Sequence, residues 1–385
     1  MKILFFVPAL VDAVDIHHEL TTRLAHCLSG SEEIRIVTSA ERNIASLLSD
    51  YDILNIFGCW SNSACLLAEK AYRLRIPYVI TPLGALQPWE IEHHKHRPFN
   101  FRRQKAVVER AAAINVCGKL EEKTFEKLAL NKRVCLIKNP ILTSQTTFDE
   151  VAECFKKLYQ KVIDSNVRLL LSEQVQNVIF MLLQFSVDLQ SFNYRSNENA
   201  LRCELDKLSP NDWRKIFIYA EDENVSETIR EALDKLNYQY PQTDVSKIDR
   251  FEAQTGYIAG QLRNDTLLSR NLLLRNKVKE VFATRGKAEQ SVCLQMLNLR
   301  YEISRNTVPL RHFVDLYVTM RFTDMDEDMV KDMTKELDME DFAQSLSAVM
   351  ADLLGLAEGF MPVNPANGKR AKQLSTSITK FGLYK

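Results

Sequence analysis

The hydrophobic pattern of the chain changes once, near residue 143, and that change limits the fold more than any other feature. Up to that point short apolar runs alternate with stretches of helical spacing. Lys2–Pro8, Glu33–Thr38 (E-I-R-I-V-T), Asp52–Phe57 (D-I-L-N-I-F), Tyr78–Thr81 (Y-V-I-T), Ala113–Val116 and Arg133–Lys138 (R-V-C-L-I-K) read as buried strands. His17–Ser29, Ala40–Leu48, Ser63–Arg75, Arg102–Ala113 and Leu120–Leu128 read as the helices between them. Such alternation predicts an α/β fold with a doubly wound parallel sheet.

Beyond a polar, Thr-rich linker at Thr143–Asp149 the helical period takes over. Patterns run at about 149–164, 166–189, 198–207, 224–237, 264–284, 287–304, 308–320, 325–337 and 340–357. One apolar run, Lys215–Ala220 (K-I-F-I-Y-A), predicts a lone strand. A helix follows it, with Glu221, Asp222 and Glu223 at the positive end of the dipole. The polar tail after Pro362 predicts a frayed end. The expected organisation is an α/β domain over 1–143, a linker over 144–150, and a mostly α-helical region over 151–385, divided near 250.

Composition narrows what such a chain can do. Only 11 of 385 residues are glycine, under half the usual share of about 7%. No two are spaced G-x-G, and none lies between Lys119 and Thr255. Glycine lets backbone approach a phosphate closely, so Walker and Rossmann-type phosphate loops are excluded. The 50 basic and 50 acidic side chains balance, but residues 1–148 hold 19 Lys/Arg against 15 Asp/Glu, leaving the rest net acidic. Neither half is basic enough to point to nucleic acid as a partner. No run approaches about 18 apolar residues, so no transmembrane helix is expected. The first apolar run stops at Asp12 with no small-residue cleavage site, as a buried strand would. Eight scattered cysteines without C-x-x-C fit reduced thiols in the cytoplasm better than disulfides or zinc ligands.

The strongest local signals are Asn55-Ile56-Phe57-Gly58-Cys59-Trp60 and Thr81-Pro82-Leu83-Gly84-Ala85-Leu86-Gln87-Pro88-Trp89. In each, a strand runs into a glycine and a tryptophan follows. Ligands of open α/β sheets sit outside the carboxyl ends of strands. Tryptophan adds a flat apolar face and an N–H donor, which suits a sugar. A tight turn plus a core tryptophan is the other reading of the same residues. Together with Lys2–Pro8, the E-R-A-A-A-I-N-V-C at 109–117 and the V-C-L-I-K-N-P-I at 134–141, these strings occur in an order that resembles the N-terminal, acceptor-side domain of family 4 glycosyltransferases of GT-B architecture. The resemblance covers about residues 1–148.

It implies transfer of a sugar from a nucleotide sugar to a cell-envelope glycan or lipid-linked acceptor. The nucleotide sugar would be a donor substrate, with no permanently bound cofactor and no metal. Gly58, Trp60, Thr81, Gly84, Pro88, Trp89 and Arg103 would face substrate. No catalytic base is identified; His17 and His18 on the first helix are weak candidates. Several features depart from the family. The loop after the first strand, Ala9–Asp15, has two acids and no glycine, and two acids repel a diphosphate. Phe57 and Leu83 stand where a histidine often precedes each strand-end glycine. The expected second half, with glycine-rich βα units, is missing. Glu223 and Glu231 have the eight-residue spacing of the family's glutamate pair but not its context.

Elsewhere, His93–Lys105 is a basic stretch without an acid. Arg102, Arg103 and Lys105 at a helix start suit an anionic acceptor or a membrane surface, or form a solvated loop. His312 and Asp315 share a helical face and read as a buried polar pair. The Met-rich stretch 320–361 reads as core plus a partner-facing surface. Two functions stay open: a glycosyltransferase of polysaccharide biosynthesis, cytoplasmic or at the inner membrane face, and a non-catalytic descendant acting as an interaction or regulatory protein through the helical region.

Overall fold

The apolar runs of the first 140 residues form six strands: β1 (Lys2–Val7), β2 (Glu33–Thr38), β3 (Ile53–Phe57), β4 (Tyr78–Thr81), β5 (Ala113–Val116) and β6 (Val134–Leu136). All pair in parallel, in the order β2-β1-β3-β4-β5-β6. The computed structural model describes residues 1–8, 16–38, 44–95, 98–142, 146–251, 271–305 and 308–381. The loop 9–15, the start of the helix expected from Ala40, His96 and Arg97, part of the linker, and 252–270 lie outside the described residues.

Helices α1 (Ile16–Leu28), α2 (Ile44–Leu47), α3 (Asn62–Leu74), α4 (Pro88–Lys95), α5 (Pro98–Arg110), α6 (Lys119–Leu128) and α7 (Phe148–Asp164) connect and follow the strands. A parallel sheet must be covered on both faces, and alternate residues of each strand supply the two cores. Leu4, Phe6, Leu54, Ile56, Tyr78, Ile80 and Ile114 pack with Ala68, Val108 and Phe125 from α3, α5 and α6. Ile3, Phe5, Ile53, Phe57 and Val79 pack with Leu20 and Leu24 of α1 and Phe155, Tyr159 and Val162 of α7.

α7 moves the expected domain boundary. A capping box between Thr147 and Glu150 starts it, and its apolar stripe closes the second face of the sheet. Each such buried side chain contributes about 1.5–3 kcal/mol. The α/β unit therefore runs from Met1 to Leu170 and regains chain at Ile248. Ser165 Oγ accepts the N–H of Phe251 at 2.8 Å.

The second unit takes Leu171–Lys247 and the described residues from 271 on. Among the described residues it is built of helices only, the longest being Glu173–Val187, Lys287–Ser304 and Glu340–Leu354. Three expectations change here. The predicted strand Lys215–Ala220 lies inside the helix Pro210–Asp222, which Ser209 and Asp212 start with a capping box and Pro210 at its first turn. Its apolar run is fully buried, and such a run reads alike in a strand or a buried helix. Glu221 and Asp222 thus end a helix rather than start one. The pattern at 166–189 is two helices, Val167–Leu170 and a second begun by the Ser172 cap.

The tail expected to fray forms the helix Lys369–Thr379, which buries Ala371, Leu374 and Ile378. Lys380 behind it is 2% exposed and donates to both carboxylate oxygens of Glu223, at 2.8 and 2.6 Å. It also donates to the carbonyl of Val308, and Glu223 accepts the N–H of Leu310 at 3.0 Å. Glu223 is thus a structural charge, and Glu231 lies on the surface with Lys235. His312 binds Glu302 at 2.7 Å, and Asp315 binds Arg311, so the expected His312–Asp315 pair does not form. No helix among the described residues is long and apolar enough to cross a membrane.

Candidate ligand site at the carboxyl ends of the strands

β2 and β3 flank β1 on opposite sides, and in open α/β sheets such a change of strand order marks where ligands bind, outside the carboxyl ends of the strands. The chain beyond β3 turns at Gly58 (φ +85°) and Trp60 (φ +64°) before Ser61 caps α3. Beyond β4 it turns at Leu83 (φ +54°) and Gly84 (φ +86°). Glycine takes this left-handed backbone without strain, whereas a side chain there costs on the order of 1 kcal/mol or more. Trp60 holds it through two hydrogen bonds. Its backbone N–H donates to Gln104 Oε1 at 2.7 Å and its indole N–H to the carbonyl of Ala85 at 2.6 Å. His94 stacks on the indole at 4.4 Å, with Phe101 nearly parallel at 6.2 Å.

A buried carboxyl joins two of the strand ends. Glu121, in the first turn of α6, accepts the N–H of Gly84 at 2.8 Å and of Cys117 at 2.7 Å. It fastens the turn after β4 to the end of β5. Beneath these turns lies a row of polar side chains in otherwise apolar strands. Asn55 donates to the Tyr159 hydroxyl at 2.8 Å and accepts from Thr81 Oγ1 at 3.2 Å. Asn115, on β5, is 1% exposed, and neither its amide nitrogen nor its oxygen has a partner.

The residues expected to face substrate therefore separate. Gly58, Trp60 and Gly84 come together at the strand ends. Thr81 is fully buried and faces Asn55, because the last residue of a central strand points into the layer beneath. Pro88 and Trp89 begin α4, and Trp89 is 80% exposed, so its ring offers the open aromatic face that the stacked Trp60 lacks. Arg103 is held by both carboxylate oxygens of Glu69, at 2.7 and 2.8 Å, and by Asn62, because α5 packs beside α3. Lys105 pairs with Glu109, and Arg102 is exposed. His18 is exposed on α1; the side chain of His17 lies outside the described residues.

Glu121, Gln104, Asn55 and Asn115 went unmarked as site residues. A signal for the two asparagines is legible: Asn55-Ile-Phe-Gly58 and Asn115-Val-Cys-Gly118 repeat N-x-x-G at two strand ends. Burial, with the nearby Glu121 carboxyl, pushes the Cys59 thiol far up and the Cys117 thiol up to about 12. Both stay protonated and unreactive at neutral pH. Among the described residues no group of three His, Cys, Asp or Glu side chains is placed to hold a metal. Comparison with family models, with curated proteins and with solved structures finds no match.

Proposed function

We infer that the chain is a non-catalytic, glycosyltransferase-like binding protein. Its α/β unit receives a glycan or lipid-linked saccharide at the strand ends, and its helical unit engages a protein partner. The observation that carries this reading is the build of the second unit. A transferase of the family resembled would fold that half as a second doubly wound sheet around the donor, whereas the described residues there are helical. The open face of Trp89 and the orphan amide of Asn115 support a saccharide as ligand, since sugars offer both apolar faces and hydroxyls. Peripheral contact with a membrane through Arg102 fits a lipid-linked saccharide.

Calorimetric titration of the full chain with UDP, GDP and their sugar conjugates tests the reading. No saturable heat is expected, while cell-envelope oligosaccharides bind and Trp89→Ala weakens that binding. Saturable nucleotide-sugar binding with transfer to an acceptor would establish the catalytic reading instead.

A further inference from the structure

Two surfaces of the helical unit match each other in charge and in apolar content. The first is a groove of about 730 Å³ between the helices Leu272–Phe282 and Lys287–Ser304. Val278, Phe282 and Leu294 line its floor; Arg275, Lys279 and Lys287 stand around it. None of these three cations has an acidic partner among the described residues, although neighbouring Lys277 and Arg285 do, with Asp338 and Glu336. The apolar surface continues at Leu272 and Leu273, which are 67% and 84% exposed. The second surface is the turn and first coil of the helix Glu327–Glu336. There Asp324, Glu327 and Asp328 are exposed around Phe322, itself 56% exposed, and half-buried Met325 and Met329.

We propose that these surfaces bind each other between two copies of this chain, the acidic turn of one copy seated on the basic groove of the other. The charges are opposite, and each surface has an apolar centre inside a charged rim, the anatomy of a protein interface. A pair related by a two-fold axis makes the contact twice. Opposite rims specify the partner and its register, and apolar anchors hold it. A groove between two helices is also the shape that accepts a helical segment. This goes beyond the saccharide-binding reading and does not depend on it.

Sedimentation velocity of the full chain across a concentration series tests the proposal. At about 50 mM salt a reversible dimer is expected, and at about 500 mM salt association weakens roughly tenfold or more, because exposed charges are screened within a few ångströms. Lys279→Glu with Lys287→Glu makes the groove acidic, and Asp324→Lys with Asp328→Lys makes the turn basic. Each double variant alone should be monomeric, since its groove and turn then repel. An equimolar mixture of the two should dimerise again, because both contacts regain opposite charges. Circular dichroism checks that each variant folds; all four positions are exposed. A monomeric wild type at about 0.2 mM, where even a Kd of 0.1 mM-order contact would show, overturns the proposal. So does a dimer indifferent to the reversals, or a mixture that stays monomeric. Association with a different acidic protein by a chain that remains monomeric would assign the groove to that partner instead.

Discussion

The two units bury polar groups for different ends. In the α/β unit one set of buried polar side chains, near the carboxyl ends of strands, holds turns and neighbouring strands by hydrogen bonds: Gln104 to Trp60, Glu121 to Gly84 and Cys117, Asn55 to Thr81. In the helical unit Glu223 and Lys380 bury a full ion pair that fastens residues 157 positions apart. The first arrangement fixes the strand-end turns; the second ties the helix Lys369–Thr379 to the rest of its unit. A buried pair is not in itself strong evidence of stability, because desolvation offsets attraction. Removing one partner is another matter, and there the two units should differ most.

Lys380→Met is expected to have the largest effect. It leaves the buried Glu223 carboxylate without its cation, and breaking such a pair costs about 3–5 kcal/mol. Chemical unfolding followed at Trp213 of the helical unit measures it. Glu223→Gln combined with Lys380→Met should recover part of the loss, since neither charge is then stranded. Equal losses in the single and double variants would mean that the pair is not coupled. Next comes Glu121→Ala in the α/β unit. It strands two backbone N–H groups, each costing about 1–3 kcal/mol if they stay dry. Tryptophan fluorescence in a Trp213→Phe background, where only Trp60 and Trp89 emit, reports that unit separately. A loss as large as that of Lys380→Met would erase the contrast between hydrogen-bonded turns and a buried ion pair.

How far the sequence led can be judged from particular residues. The strands of the α/β unit were legible because a parallel sheet, buried on both faces, needs short apolar runs at regular intervals. K-I-F-I-Y-A at 215–220 has the same composition and is helical; the Ser209-Pro210-Asn211-Asp212 cap before it was the better guide. An amphipathic helix does not say which core it covers: α7 follows the linker in sequence, and its apolar stripe packs on the sheet. Gly58 and Gly84 were legible, since a strand running into glycine marks a turn. Glu121 was not: an acid in the first turn of a helix is commonplace, and its two partners arrive from separate loops. His312 shows the same limit. Its partner Glu302 lies on a different helix, out of reach of any spacing rule.

The asparagines of β3 and β5 sharpen the comparison within one unit. Asn55 has partners for both ends of its amide, and Asn115 has none. Asn55→Leu should therefore destabilise the α/β unit by about 2 kcal/mol, through the bonds lost and the Thr81 hydroxyl stranded. Asn115→Leu removes a group that is already stranded, and should be neutral or stabilising by about 1 kcal/mol. It should also weaken saccharide binding if the amide is kept for a ligand. Destabilisation by Asn115→Leu as large as that by Asn55→Leu would mean that Asn115 is bonded through solvent and serves the fold.

The smallest effect concerns the strand-end thiols. Burial and the Glu121 carboxyl raise Cys117 from 9.0 to about 12, so the folded chain holds a proton that the unfolded chain releases at lower pH. A raised folded value means that the stabilisation is complete below pH 9 and is lost as pH climbs towards 12. At about pH 9.5 the loss is under roughly 1 kcal/mol per thiol. Thermal melts of the wild type and Cys117→Ala at pH 8 and pH 9.5 should show the wild type losing more over that interval. Alkylation at pH 8 gives an independent reading of the same environment. Exposed Cys154 and Cys203 should react first, and Cys59 and Cys117 only on unfolding. Rapid alkylation of Cys117 in the folded chain would show the β5 end opening to solvent, and with it the Glu121 fastening.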